Sequence, residues 1–249
     1  DDGDWVCAVS VLAAGKVADV RIDLASGKVL EVGGPHPNAP SSSSTWNFEK
    51  DAVDTVPPGW SVRQTKPTTA LATWKVIADA TAPSKPNVLA LTHTENVDGT
   101  FNLAIAERSS FKDLDLSVQL KPVSGKEDQG GGPVWRCKDE NNYYICRLNP
   151  LESNFRVYVV RDGVRKQLES VKVESVAGKW YAIRVGMSGK HIICYLDGKK
   201  MLEADDETFP DAGMVGLWTK ADAASCFDDL TVSEVSEGKE PVASQPTAR

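Results

Sequence analysis

The sequence predicts an all-β protein, a two-sheet antiparallel sandwich preceded by a small N-terminal β segment. From Trp46 onward, short runs of β-prone residues recur with turn-forming residues between them. No stretch of convincing length places apolar residues at helical spacing. The pairs Asp162-Gly163 and Asp197-Gly198 are dipeptides of the kind that joins adjacent antiparallel strands. At 249 residues and 41% hydrophobic, the chain is long enough to bury one good-sized core, and sandwiches of this length are commonly single domains.

The elements follow in order. Residues 1–32 contain VCAVSVLAAGKVADVRIDLASGKVLEV, three short β-prone runs parted by the turn signals AAGK and ASGK. Residues 33–45, with GGPHPNAPSSSS, read as a flexible linker, and the lone His36 there is given no role. Residues 46–235 carry the sandwich strands WSVRQT, TWKVIAD, NVLALTH, FNLAIAE, DLDLSVQL, a central hairpin, FRVYVV, KWYAIRVG, HIICYLDGK, GMVGLW and FDDLTVSEV. Residues 236–249 are polar with two prolines and read as a disordered tail.

Charge narrows the partners. A formal net charge of -7 without a Lys/Arg run argues against a nucleic-acid partner, because phosphate binding needs clustered cations. No apolar run approaches the roughly 20 residues that span a bilayer. The chain opens at Asp1, as a processed, exported chain would. Five cysteines, Cys7, Cys137, Cys146, Cys194 and Cys226, are too far apart for a CxxC zinc knuckle and read as structural thiols or disulfides.

The central hairpin is GGGPVWRCKDENNYYICRLNP, Gly130 to Pro150. Simple alternation about the polar turn 138–142 places Cys137 opposite Cys146, Trp135 opposite Leu148 and Asp139 opposite Tyr144. That register would allow a Cys137–Cys146 disulfide in an oxidising compartment. It leaves Arg136, Lys138, Tyr143, Ile145 and Arg147 on the other face, which is either a solvated surface or a recognition surface.

Two resemblances add to this reading. VRIDLASGKVL, Val20 to Leu30, resembles the C-terminal strands of a PepSY domain, which implies a small sheet able to dock on a protein partner. The chain from Trp46 to Val235 is similar to the secreted bacterial family called DUF1080, related to concanavalin A-like lectins and LamG-like modules. The matching stretches are APSKPNVLALT, the long stretch Lys121 to Leu168, GKWYAIRV, and DDETFPDAGMVGLWTKADAASCFDDLTV. The resemblance implies a jelly roll with one convex and one concave sheet; its members carry labels such as 3-keto-disaccharide hydrolase. The four cysteines from Cys137 onward depart from the family's usual residues.

Candidate sites follow. Arg136, Asp139, Asn142, Tyr143, Arg147 and Asn149 match the family pattern WRxxDxxNYYxxRxNP. Amides and carboxylates of this kind bond sugar hydroxyls, and aromatic faces cover pyranose C–H patches. Asp139 and Asn142 are equally natural turn residues, and the arginines equally natural ion-pair partners. Trp218, Lys220 and Asp222 sit in GLWTKADAASCFDDL, where they either overhang the concave sheet or serve as core and a surface ion pair. Glu49 and Asp51 near the first strand, with Asp228 and Asp229 near the last, are a candidate oxygen set for calcium. Retaining glycoside hydrolysis needs two acids at a fixed separation, and the strings ENVDGT and KDLDLS lack the E-x-D-x-x-E spacing. No GxSxG elbow surrounds a serine. The leading expectation is an exported, non-catalytic module binding carbohydrate or a surface polymer through its concave sheet. The alternatives are a hydrolase of the DUF1080 type using Asp139 or Asp222 as acid or base, and an accessory subunit docking through residues 1–32.

Overall fold

The computed structural model describes residues 43–235 in full, together with the backbone of three strands before them. Those three, β1 (Val6–Ala13), β2 (Lys16–Asp23) and β3 (Val29–Val32), form an antiparallel sheet in the order β1-β2-β3. The chain divides into two compact units, residues 1–42 and 43–249. The Ser-rich stretch assigned to the linker through residue 45 ends in a strand, β4 (Ser43–Trp46). The PepSY-like side chains and the expected tail lie outside the described residues.

The second unit is a sandwich of two antiparallel sheets, with no helix among the described residues. One sheet has the order β13-β12-β11-β10-β17-β8-β5: Val164–Lys172, Asn154–Arg161, Asn142–Asn149, Gly132–Asp139, Gly213–Lys220, Phe101–Phe111 and Trp60–Thr65. The other has the order β16-β15-β14-β9-β18-β7-β6: Lys199–Asp205, His191–Leu196, Tyr181–Ser188, Leu114–Ser124, Ala224–Glu234, Asn87–His93 and Thr73–Ala78, with β4 pairing β18. The strands β13 and β16 were not among the expected runs. Both are edges whose alternation is diluted by Lys, Arg and Glu, the residues that protect sheet edges from pairing with other chains.

Alternate residues of each strand fill the space between the sheets: Ala104 and Ala106 of β8, Leu217 of β17, and Tyr144, Cys146 and Leu148 of β11 meet Leu116 and Val118 of β9 and Ile183 and Val185 of β14. Trp135 stacks on Tyr144 at 5.6 Å between ring centroids, and the Tyr144 hydroxyl donates to Asp206 Oδ1 at 2.7 Å. The glycine run before Val134 has a steric cause. A Cβ on Gly132 would lie 1.8 Å from the Cys146 carbonyl oxygen, so the backbones of β10 and β11 approach too closely for any side chain there.

The hairpin register differs from simple alternation. Val134 pairs with Ile145, Trp135 with Tyr144 and Asp139 with Asn142, and a β-bulge at residues 136–138 absorbs the mismatch. Arg136 adopts φ 45° at this bulge. The bulge turns Cys137 to the same face as Val134, while Cys146 points into the core between the sheets. Cys137 and Cys146 therefore lie on opposite faces, both free and buried, and the disulfide between them is not formed. The thiol that Cys146 meets is Cys194, on β15 of the opposite sheet, and burial with that neighbour raises its pKa well above the ordinary value.

Candidate functional site

The seven-stranded sheet curls until the turn at one edge reaches the end of the strand at the other. Laid flat, β5 and β13 would stand roughly 29 Å apart, six spacings of about 4.8 Å. Instead, a Cβ on Gly163, in the β12–β13 turn, would lie 3.2 Å from Lys66 Cε and 3.5 Å from Thr65 Cγ2 at the end of β5. The β10–β11 turn joins this closure. Gly163 N donates to the Asn141 carbonyl at 3.0 Å, Asp162 N to Asn142 Oδ1 at 3.0 Å, and the Thr65 hydroxyl to the Glu140 carbonyl. The face turned away from the main core is thus concave. It carries a second apolar cluster that includes Phe101, Leu103, Tyr143, Ile145, Tyr158 and Trp218.

Arg165, at the start of β13, reaches across this concavity. Its guanidinium lies 4.4 Å from the Tyr158 ring centroid, 5.1 Å from that of Phe101 and 5.9 Å from that of Trp218. Beside it runs a chain of charges. Arg147 Nη1 contacts Asp128 Oδ2 at 3.1 Å, and its Nη2 contacts Glu152 Oε2 at 2.8 Å and Asn154 Oδ1 at 2.8 Å. Lys220 Nζ sits 3.4 Å from Asp128 Oδ2 and 2.5 Å from Asp98 Oδ1. The side chains of Arg147 and Asp128 are fully buried, that of Lys220 is 11% exposed and that of Asp98 is 75% exposed, so the chain of charges runs from the interior to solvent.

Burial raises the Asp128 carboxyl above its ordinary range, against the pull of Arg147 and Lys220. Burial alone would also raise Glu152, but the Asn154 amide and the Arg147 and Arg156 guanidiniums more than offset it and hold Glu152 at about 2. Two guanidinium N–H groups, Arg147 Nε and Arg165 Nη1, are buried without an acceptor.

The expected binding residues divide in this geometry. Arg147, Asn149, Trp218 and Lys220 come together at the concave face; Asn149 Nδ2 donates to Asp128 Oδ1 at 3.0 Å, and Trp218 packs on Phe101 at 5.2 Å. Tyr143 is on the same face, fully buried, with its hydroxyl 2.7 Å from Thr65 Oγ1. Arg136 is elsewhere. The bulge sends its buried guanidinium to the Lys112, Phe209 and Gly189 carbonyls at 2.7, 2.8 and 2.8 Å and to Asp113 Oδ1 at 3.1 Å, where it ties turns of both sheets together.

Asp139 and Asn142 build the hairpin turn. Asp139 Oδ1 accepts from Asn141 N at 2.7 Å and from Asn142 Nδ2 at 2.9 Å. Asp222 does not pair with Lys220 among the described contacts. Its carboxylate accepts from the amides of Lys126, Glu127 and Asp128 at 2.6, 3.0 and 3.0 Å, and thereby positions Asp128. Asp128, Glu152, Tyr158 and Arg165 were missed by sequence reasoning. The first two flank the glycine-rich hairpin, the one signal that pointed toward them; Arg165 stands on an edge strand that carried none.

The four calcium candidates fall in two pairs, each with protein partners of its own. Asn87 Nδ2 donates to the carbonyls of both Glu49 and Asp51 at 3.4 Å, while Asp228 accepts from Ser84 N at 2.9 Å and Asp229 N at 2.8 Å. Among the described residues no three acidic, His or Cys side chains cluster as a metal site. Glu49 Oε2 is buried without a partner, and calcium on the set Glu49, Asp51, Asp228 and Asp229 is a proposal that melting curves test. A rise in Tm on adding Ca²⁺, reversed by chelator and absent in Glu49→Gln, supports it; an unchanged Tm contradicts it.

Asp228 makes a separate prediction. Burial pushes its carboxyl up to about 6, so the folded chain holds a proton that the unfolded chain has released between about pH 4 and 6. Its contribution therefore favours the fold as pH falls through that window and is lost as pH rises past 6, by at most about 3 kcal/mol. Urea unfolding of Asp228→Asn at pH 4.5 and 7.5 should show this dependence removed; an unaltered dependence would refute the assignment.

No family model and no curated relative matches the chain. Solved structures do. The carbohydrate-binding module CBM66 from Bacillus subtilis aligns with a TM-score of 0.55 at 19% identity over 70% of this chain and 95% of its own. The cellulose-induced protein Cip1 aligns at 0.56 and 13% identity, over 78% of this chain and all of its own. This fold is a jelly roll. Domain 4 of AbnA, an extracellular arabinanase from Geobacillus stearothermophilus solved with arabinotriose, aligns at 0.50 and 11% identity over 78% and 93% of the two chains. At these identities the likeness of the jelly roll to its neighbours speaks to fold alone.

Proposed function

We propose that this jelly roll is an exported, non-catalytic carbohydrate-binding module whose site is the charged mouth of the curled sheet. The observation that carries the reading is the pair of buried guanidinium N–H groups without acceptors, on Arg147 and Arg165, placed against the Tyr158 ring. Buried donors that the protein leaves unsatisfied are costly, and Arg165, the partly exposed member of the pair, is the one that a sugar hydroxyl or oxyanion can approach. The carbohydrate-binding neighbours favour the same class of ligand. Export agrees with the extracellular arabinanase to which one neighbouring domain belongs; among the described residues no helix is long and apolar enough to cross a membrane.

The hydrolase reading that the DUF1080 resemblance implies keeps one observation in its favour: Asp128 and Glu152 share Arg147 and are shifted in opposite directions. Against it, Asp128 is sealed from solvent, and Asp139 and Asp222 are consumed by turn amides. The accessory-subunit reading falls on residues 1–32, whose side chains lie outside the described set. A glycan array with isothermal titration decides among these. Saturable binding without release of reducing sugar is expected; release of sugar would establish the enzyme, and a blank array would defeat the binding module.

A further inference from the structure

The geometry points to an acidic glycan as the ligand, with its carboxylate or sulfate held by the partly exposed Arg165 at the mouth of the curled sheet, in front of the buried Arg147. This rests on the carbohydrate-binding reading above and specifies its ligand class. The first ground is charge. Arg147, Arg156 and Lys220 all have carboxylate partners within this cluster, Arg147 with Asp128 and Glu152, Arg156 with Glu152, and Lys220 with Asp98 and Asp128. Arg165 has none among the described residues; it rests on aromatic faces instead, and the cluster is left one positive charge in excess.

Proximity is the second ground. The guanidiniums of Arg147 and Arg165 both lie against the Tyr158 ring, at 5.8 and 4.4 Å from its centroid, and each repels the other. Two cations drawn that close at a poorly hydrated site gain most from an anion beside the one a ligand can reach, Arg165. Guanidinium N–H groups match the paired oxygens of a carboxylate or the face of a sulfate, and charge-assisted bonds of this kind are about twice as strong as neutral ones.

The donors are the third ground. Arg147 Nε and Arg165 Nη1 are buried donors without acceptors, and burial pulls the Arg165 pKa below its ordinary value even though Asp128 and Glu152 act on it from beyond ion-pair distance. A neutral sugar hydroxyl would satisfy one donor and leave the excess charge. A uronate or sulfate ester would answer both. The chain as a whole carries -7, so its general field repels acidic polymers, and any preference for them must arise at a local site of this kind.

Isothermal titration with three probes tests the inference: trigalacturonate, its methyl ester, and a sulfated carrageenan oligosaccharide of similar length. The expected result is that one or both acidic probes bind at least about tenfold more tightly than the ester, with affinity that falls as salt rises. The two acidic arms show whether carboxylate or sulfate is the preferred group. In Arg165→Ala the preference for acid over ester should vanish. Equal binding of acid and ester would overturn the inference and leave the carbohydrate module standing; no binding of any probe, together with a blank array, would overturn both. Should Arg165→Ala fail to fold, the salt dependence of the intact chain decides, and affinity for the acidic probes indifferent to salt would overturn the proposal.

Discussion

Arg147→Met is expected to cost about 3–5 kcal/mol of stability, because it strands a carboxylate that has no route to water. Asp128 is fully buried, and its nearest cations are Arg147 at 3.1 Å and Lys220 at 3.4 Å. Removing Arg147 leaves Lys220, whose ammonium is already drawn toward Asp98, and the Asn149 amide. Methionine restores much of the lost volume, so the penalty reports charge rather than cavity. The double variant Arg147→Met with Asp128→Asn should recover a good part of the loss, since a neutral amide no longer needs a counterion. Urea unfolding measures both. A single-variant loss below about 1 kcal/mol would show that Asp128 does not depend on Arg147.

Arg136→Ala should be about as damaging, for a different reason. One planar guanidinium serves four acceptors there: three backbone carbonyls from the β8–β9 turn, the β14–β15 turn and the segment before β17, and the Asp113 carboxylate. Deleting it strips the partner from acceptors in three connections at once, the buried Phe209 carbonyl and Asp113 among them, for an expected loss of about 3 kcal/mol or more. Arg136→Lys should rescue little, because a single ammonium on a flexible stem cannot address acceptors arranged around a planar fork. Rescue by lysine to within about 1 kcal/mol of the parent would contradict this role.

The same arginine shows where sequence reading stops. Alternation identified the hairpin, its strands and its aromatic residues, because hydrophobic period is a property of single strands. The β-bulge at residues 136–138 is not, since it depends on which neighbours pair across β10 and β17. That bulge moved Cys137 to the opposite face from Cys146, removing the expected disulfide, and carried Arg136 away from the recognition surface. The jelly roll itself was legible from the cadence of strands and turns together with the family resemblance. The curl of its seven-stranded sheet was not, because it is set by contacts between edges far apart in sequence, Thr65 with Glu140 and Gly163 with Lys66. Arg165 was invisible for the same reason: it sits in VRKQLESVK, an edge strand of mixed charge, and meets Phe101 only because the sheet closes on itself.

The claim that binding uses this curled face, and not the outer face of the eight-stranded sheet, can be put to a single measurement. That outer face has its own half-exposed aromatic, Trp180, whose indole donates to Thr81 Oγ1 and lies beneath Lys121. A proton–nitrogen correlation spectrum recorded while titrating in the strongest array ligand reports on both faces through their indole signals. The Trp218 indole and the Nε–H signals of Arg147 and Arg165 should shift with a common saturation curve while the Trp180 indole stays in place. Movement of Trp180 with Trp218 unchanged would put the site on the other sheet and contradict the account.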